Sequence, residues 1–270
     1  MGRPGAQAPA IYFAGARPSV SLGTVAINLA DHEKLARDAV KHYWRTLDEQ
    51  GAKQKTGDAD RGGRAAVTGG KQMMGFCTLV KTLLTVNGVR DAHIFVEQSL
   101  ELPGYFRPTK NWDMLVVNQG HLIAALEFKS QRGPSFGNNF NNRTEEAIGT
   151  AQDLWTAYRE GAFGKKPRPW LGWVMLLEDC PKSTAPVKVL EPHFKVFPEF
   201  RGASYAKRYE LLLRRLMLEK LYDGAAFLMA TAEQGQKGIF KEPSPADLGM
   251  KPFLAGLVGH AMAYQAGITK

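Results

Sequence analysis

An α/β protein built on a mixed central sheet is what three features of this 270-residue chain predict. Segments with apolar residues at helical spacing open and close it, and short aliphatic runs fill its middle. The two kinds then alternate in the order helix, strands, helix, strand, helix, strand. A hydrophobic content of 44% and a charged content of 23% are ordinary globular values, which excludes wholesale disorder. The length suits one large domain, because single cores stop growing near about 250–300 residues. We divide the chain into a Gly-, Ala- and Pro-rich arm over residues 1–30, partly disordered, a domain over 31–250, and a helix within 251–270 packed on that domain.

The first helix is expected over 31–50. Asp31 caps it, and Leu35, Ala39, Tyr43 and Leu47 recur every four residues beside Val40 and Trp44. Residues 51–71 are glycine-rich and basic and read as a loop. A second helix, interrupted at Gly75, carries Met73, Phe76, Cys77, Val80 and Leu84 toward the stop signal Asn87 and Gly88. Strands follow over 93–96, 112–117 and 121–129, the last two joined by a turn at Asn118, Gln119 and Gly120. Both faces of those two strands are apolar, as suits the centre of a sheet covered on both sides.

Residues 130–143 read as a polar loop, and a helix over 144–159 follows, with Ala147, Ile148, Ala151, Leu154, Trp155 and Tyr158 inward. A buried strand over 171–177 and a Pro-rich connection over 181–198 come next. A helix over 204–221 turns Tyr205, Tyr209, Leu212, Leu213 and Leu216 inward. The last strand covers 225–230, and the last helix 251–264.

Two cysteines, Cys77 and Cys180, make neither a disulfide framework nor a zinc motif, which favours a reducing cytoplasmic setting. The first residues lack the apolar core of a secretory signal. Gly2 is followed by Ala6 where myristoylation needs Ser or Thr, and no apolar run approaches the ~18 residues of a membrane helix. No GxxxxGK[ST] loop is present, so no nucleotide cofactor is indicated, and no HExxH pair is present either. Thirty-five Lys and Arg against 26 Asp and Glu leave a charge of +9, a reason to expect a polyanionic partner.

The densest chemistry lies in RPTKNWDMLVVNQGHLIAALEFKSQ, residues 107–131. Glu127 and Lys129 are two apart on one strand and share a face, with Phe128 on the other. If the turn is a three-residue loop, Val117 pairs with His121, Asp113 lies opposite Ala125, and the acids become diagonal neighbours on one face. A two-residue loop would pair Asn118 with His121 and put the acids on opposite faces. Paired acids beside a lysine suit phosphodiester hydrolysis. The acids hold a hard cation such as Mg²⁺, and the lysine orients water and stabilises charge at phosphorus. The pattern is loose, and a solvated strand end is the plain alternative.

The block from FRPTKNWDMLVVN through LEFKSQRGPSFGNNFNNRTEEAIGTAQDLWTAY resembles the XhoI-type restriction endonucleases, within the PD-(D/E)xK nucleases, over about residues 30–240. The resemblance implies a restriction-endonuclease-like core, with Asp113, Glu127 and Lys129 as the catalytic acids and lysine. It also implies a Mg²⁺-dependent type II homodimer that cuts both strands of double-stranded DNA at the palindrome CTCGAG and leaves 5′-phosphates. Pro108 stands five residues before Asp113 rather than next to it, and residues 61–88, where a glutamate on the preceding helix would fall, contain no acid at all. A third metal ligand must therefore come from elsewhere, Glu97 and Glu101 being candidates.

For DNA contact the loop after the catalytic strand offers Arg132, Ser135, Asn138, Asn139, Asn141, Asn142 and Arg143, since Arg suits guanine and Asn adenine. Asn142 could instead cap the next helix, and Glu145 and Glu146 suit that helix's N-terminus, or one of them the metal site. Lys53, Lys55, Arg61, Arg64 and Lys71 could meet phosphates or form a solvated loop. The rival readings are a junction-resolving or repair nuclease, a catalytically silent DNA-binding protein, and an interaction scaffold with incidental charge.

Overall fold

A computed structural model describes residues 26–55 and 71–268. Helix α1, His32–Lys55, and helix α2, Met74–Val86, precede the short strand β1, Ile94–Phe95. A hairpin of β2, Glu101–Pro103, and β3, Thr109–Asn111, leads into β4, Met114–Asn118, and the long β5, His121–Gln131. Helix α3, Phe136–Arg159, crosses to β6, Trp170–Glu178. The short α4, Pro181–Thr184, and α5, Tyr205–Leu218, precede β7, Gly224–Ala230, and α6, Ala232–Gln236. Helix α7, Met250–Ile268, closes the described chain.

The main sheet runs β1-β4-β5-β6-β7. Its β1, β4 and β5 are antiparallel neighbours, while β5, β6 and β7 are parallel. The mixed sheet expected from the alternation of elements is therefore present. Parallel strands are buried on both faces and read as continuous apolar runs. In β6, WLGWVMLLE, every residue but the terminal Glu178 is buried.

Two cores sandwich the sheet. On one face Val116, Phe128, Val174 and Leu228 meet Tyr43 of α1, Phe76 of α2 and Leu257 of α7. On the other, Leu115, Trp173, Met175 and Phe227 meet Leu154 of α3 and Tyr209 and Leu213 of α5. Helix stripes spaced three and four residues apart supply each layer. Ile148, expected inward on α3, is exposed, whereas Asp153 on the same helix is buried. A polar contact, described below, takes the place of an apolar one there.

The hairpin β2–β3 was not anticipated, because three-residue strands leave too short an alternation to register. It pairs Leu102 with Lys110 and Pro103 with Thr109. Asp153 holds its tip by accepting the Tyr105 and Phe106 N–H groups at 2.7 and 2.8 Å and the Arg107 Nε at 2.7 Å. Among the described residues, no helix is long and apolar enough to cross a membrane.

Candidate active site

The β4–β5 hairpin decides whether the acids meet. Its turn is Gln119–Gly120, both at positive φ, and Asn118 pairs with His121. The expected three-residue loop is thus a two-residue one, as positive φ at both central positions favours. With unbroken pairing this turn would send Asp113 and Glu127 to opposite faces.

A β-bulge reverses that outcome. Val117 pairs with Leu122 but Val116 with Ala124, so Ile123 has no partner across the ladder. Ile123 and Ala124, consecutive in the chain, accordingly enter the same core. Beyond the bulge Met114 faces Leu126, which sets Asp113 opposite Glu127, and the Asp113 N–H donates to the Leu126 carbonyl at 3.3 Å. The acids are direct cross-strand neighbours rather than the diagonal pair expected.

Lys129 Nζ lies 3.2 Å from Asp113 Oδ2, 3.3 Å from Glu127 Oε2 and 3.5 Å from Glu146 Oε1. The Phe128 N–H donates to Asp113 Oδ2 at 2.8 Å. Glu127 is fully buried, and neither of its oxygens accepts a bond of hydrogen-bond geometry. Its compensation is ionic, from the ammonium groups of Lys129 and Lys110. Burial alone would depress the Lys129 pKa, but the carboxylates of Glu127, Asp113 and Glu146 outweigh it and hold the group above the usual lysine value. Burial opposes ionisation of Glu146 as well, yet Lys129, Arg143 and Lys110 keep its pKa below the usual carboxylate range. Arg143 Nη1 donates to Glu146 Oε2 at 2.6 Å. The acids Asp113, Glu127 and Glu146 thus interleave with Lys110, Lys129 and Arg143.

A cleft of about 660 Å³ opens onto this network, and Asp113, Lys129, Arg143, Lys71, Cys77 and Glu97 are among the residues that line it. Burial pushes the Cys77 thiol up to about 12, with the Asp113 charge adding to the effect, so it is no nucleophile at neutral pH. Among the described residues, no three or more His, Cys, Asp or Glu side chains surround one point. Glu97 and Glu101, both exposed, do not complete a three-ligand set. The donor set nevertheless fits a hard divalent ion. Mg²⁺ keeps several waters and takes one or two carboxylates plus substrate oxygens. The Glu127 carboxylate, buried and balanced by ammonium groups alone, suits such an ion, which would bring the same compensating charge.

The expected reading loop is mostly helix. Helix α3 begins at Phe136, so Asn138, Asn139, Asn141, Asn142 and Arg143 lie within its first turns, and only residues 132–135 connect it to β5. Asn142 is therefore no cap; that position falls to Ser135. Asparagine is a weak helix former, but tertiary contacts override it here. Phe136 stacks on Tyr205, Phe140 meets Tyr209 edge to face, and Gln131 Nε2 donates to the Phe136 carbonyl at 2.9 Å. Helical spacing sets exposed Asn138, Asn141 and Asn142 on one stripe, and Asn139, Arg143 and Glu146 on the next, which leads to Lys129. Arg132 and Ser135 are exposed.

Lys71 is exposed at the cleft, its carbonyl accepting from His42 Nε2 at 3.0 Å. Lys53 and Lys55 fall in the last turn of α1 without described side chains, and Arg61 and Arg64 lie outside the described residues. Sequence reasoning missed Lys110 altogether. Its only signal was a lysine at alternate spacing in the short TKN strand. Glu146 carried a better one, three residues after Arg143 on a helix.

The profile of the family described as "Restriction endonuclease XhoI" matches residues 52–242. A type II restriction enzyme of Geobacillus stearothermophilus, BstVI, is 52% identical over 222 residues, covering 80% of this chain and 98% of its own. The type II restriction enzyme XhoI of Xanthomonas vasicola is 48% identical over 198 residues, 72% of this chain and 79% of its own. AbrI of Azospirillum brasilense, also a type II restriction enzyme, is 54% identical over 173 residues, 63% of this chain and 78% of its own. No solved structure matches the chain.

Proposed function

Because the chain belongs to the XhoI restriction endonuclease family and is a type II restriction endonuclease, a hydrolase of DNA phosphodiesters, we propose that Asp113, Glu127 and Lys129 form its catalytic centre. The carrying observation is the bulged hairpin that sets Asp113 opposite Glu127, with Lys129 Nζ within 3.3 Å of both.

Asp113 and Glu127 hold Mg²⁺. Bound there, Mg²⁺ supplies Lewis-acid chemistry to the scissile phosphodiester. Lys129, kept protonated by its carboxylate neighbours, is a cation rather than a base. It orients the attacking water and stabilises charge that develops on the phosphoryl oxygens. Arg143 and Lys71, flanking the same cleft, contact the DNA backbone. The exposed Asn138, Asn141 and Asn142 stripe of α3 reads base edges in the major groove, with Arg132 and Ser135 beside it. Lys53, Lys55, Arg61 and Arg64 add phosphate contacts. The target is the palindrome CTCGAG, cut in both strands to leave 5′-phosphates, and the enzyme works as a homodimer in the prokaryotic cytoplasm without a nucleotide cofactor.

Lys129→Ala is expected to lower cleavage at least a hundredfold, roughly the value of one charge-stabilising donor, while duplex binding measured in Ca²⁺ persists. Wild-type cleavage by the purified variant would overturn the assignment. Digestion of a DNA of known sequence with Mg²⁺, followed by sequencing of the ends, tests the target and the cut position together.

A further inference from the structure

The ion pair between Lys110 and Glu127 brings a second ammonium to a carboxylate that Lys129 already neutralises. Glu127 has no solvent exposure, and the Lys110 side chain is 13% exposed. Two monovalent cations on one buried carboxylate supply the charge that a single divalent ion would bring. Lys110 also has somewhere else to go. Its Nζ lies 4.9 Å from the centre of the Trp112 ring and donates to the Asn111 carbonyl at 3.1 Å. An ammonium over an indole face keeps favourable electrostatics after it leaves a carboxylate. The backbone that carries it is fixed, through the pairing of Lys110 with Leu102 and the grip of Asp153 on the hairpin tip. Only the flexible side chain needs to move.

We propose that Lys110 is a resident counter-ion of Glu127, holding the carboxylate until a divalent cation displaces it. The proposal rests on the reading of Asp113 and Glu127 as the metal-holding acids. Lys110 is then a positioning residue that holds the Glu127 side chain in place in the metal-free enzyme. Metal entry must break the Lys110 contact, so the free enzyme binds the cation weakly. Once displaced, the ammonium stands at the edge of the site with its charge available to a phosphate of bound DNA. Metal uptake and DNA binding therefore favour each other, as linkage between two ligands requires.

Isothermal titration of Mg²⁺ into the DNA-free enzyme tests this, with Lys110→Met, Lys110→Arg and Glu127→Gln beside wild type. Lys110→Met is expected to bind Mg²⁺ roughly tenfold more tightly, the scale of removing one competing cation from a partly screened site. Lys110→Arg should stay close to wild type, because it keeps the charge. Unchanged or weaker binding by Lys110→Met, together with loss of binding in Glu127→Gln, would sink the counter-ion role and leave the metal site standing. Wild-type binding by Glu127→Gln would instead remove the metal-site reading itself. A measurement on the unaltered protein covers a variant that fails to fold. Acetylation of Lys110, followed by mass spectrometry, should accelerate when Mg²⁺ is added without DNA, and an unchanged rate overturns the displacement.

Discussion

Asp153 shows how one buried carboxylate can serve a site it does not enter. It is 4% exposed, and it accepts two backbone N–H groups and the Arg107 guanidinium, which together shape the turn between β2 and β3. Asp153→Ala leaves the two backbone donors without their acceptor and is expected to cost about 2 kcal/mol, the scale of lost hydrogen bonds to a charged group. Chemical denaturation measures it, and a loss below ~1 kcal/mol would refute the role. The pH dependence has a definite sign. Burial works against the charge, but the Phe106 N–H, Arg107 and the Tyr105 N–H outweigh it and hold the folded pKa below the usual aspartate value. The stabilisation is therefore complete above the unfolded pKa near ~3.9 and disappears as pH falls through the lower folded value. Asp153→Asn should flatten the acid limb of the stability curve over that window.

At the scale of elements, α3 joins the proposed reading surface to β5, the strand of the proposed catalytic residues Glu127 and Lys129. Its first turns contain asparagines that would not choose helix alone, and Phe136 and Phe140 pin them to α5. Phe140→Ala is expected to destabilise the protein by about 2 kcal/mol, from lost burial and lost ring contacts. Hydrogen exchange should localise the damage, with amides of residues 136–143 losing protection before those of β5 and β6. Uniform loss across the sheet would contradict this local anchoring. The β4–β5 hairpin carries the same lesson in another form. Alternation correctly put Glu127 and Lys129 on one face and Phe128 on the other. The length of the turn was misjudged, and the bulge at Ile123 that compensates for it has no signature in a run of uniformly apolar residues.

For the molecule as a whole, one chain brings one Asp113–Glu127–Lys129 cluster, whereas a palindromic duplex offers two equivalent bonds. Sedimentation with a short CTCGAG duplex in Ca²⁺ should give two chains per DNA, as twofold symmetry requires; a one-to-one complex would refute the homodimer. The chain's own pattern was enough for the mixed sheet, most of its helices and the strand that carries Glu127 and Lys129. Periods of 2 and 3.6 are local properties, and a carboxylate amid apolar residues stands out wherever it lies. The charge of +9 suggested a polyanion, and the acid–acid–lysine spacing suggested what is done to it. Contacts between residues distant in sequence decided the rest. They turned an asparagine-rich segment into helix, placed Glu146 within 3.5 Å of Lys129, and carried Lys110 across from a separate hairpin to Glu127. Such pairings depend on how elements pack and on where a ladder slips by one residue, and neither is encoded in the spacing of any single segment.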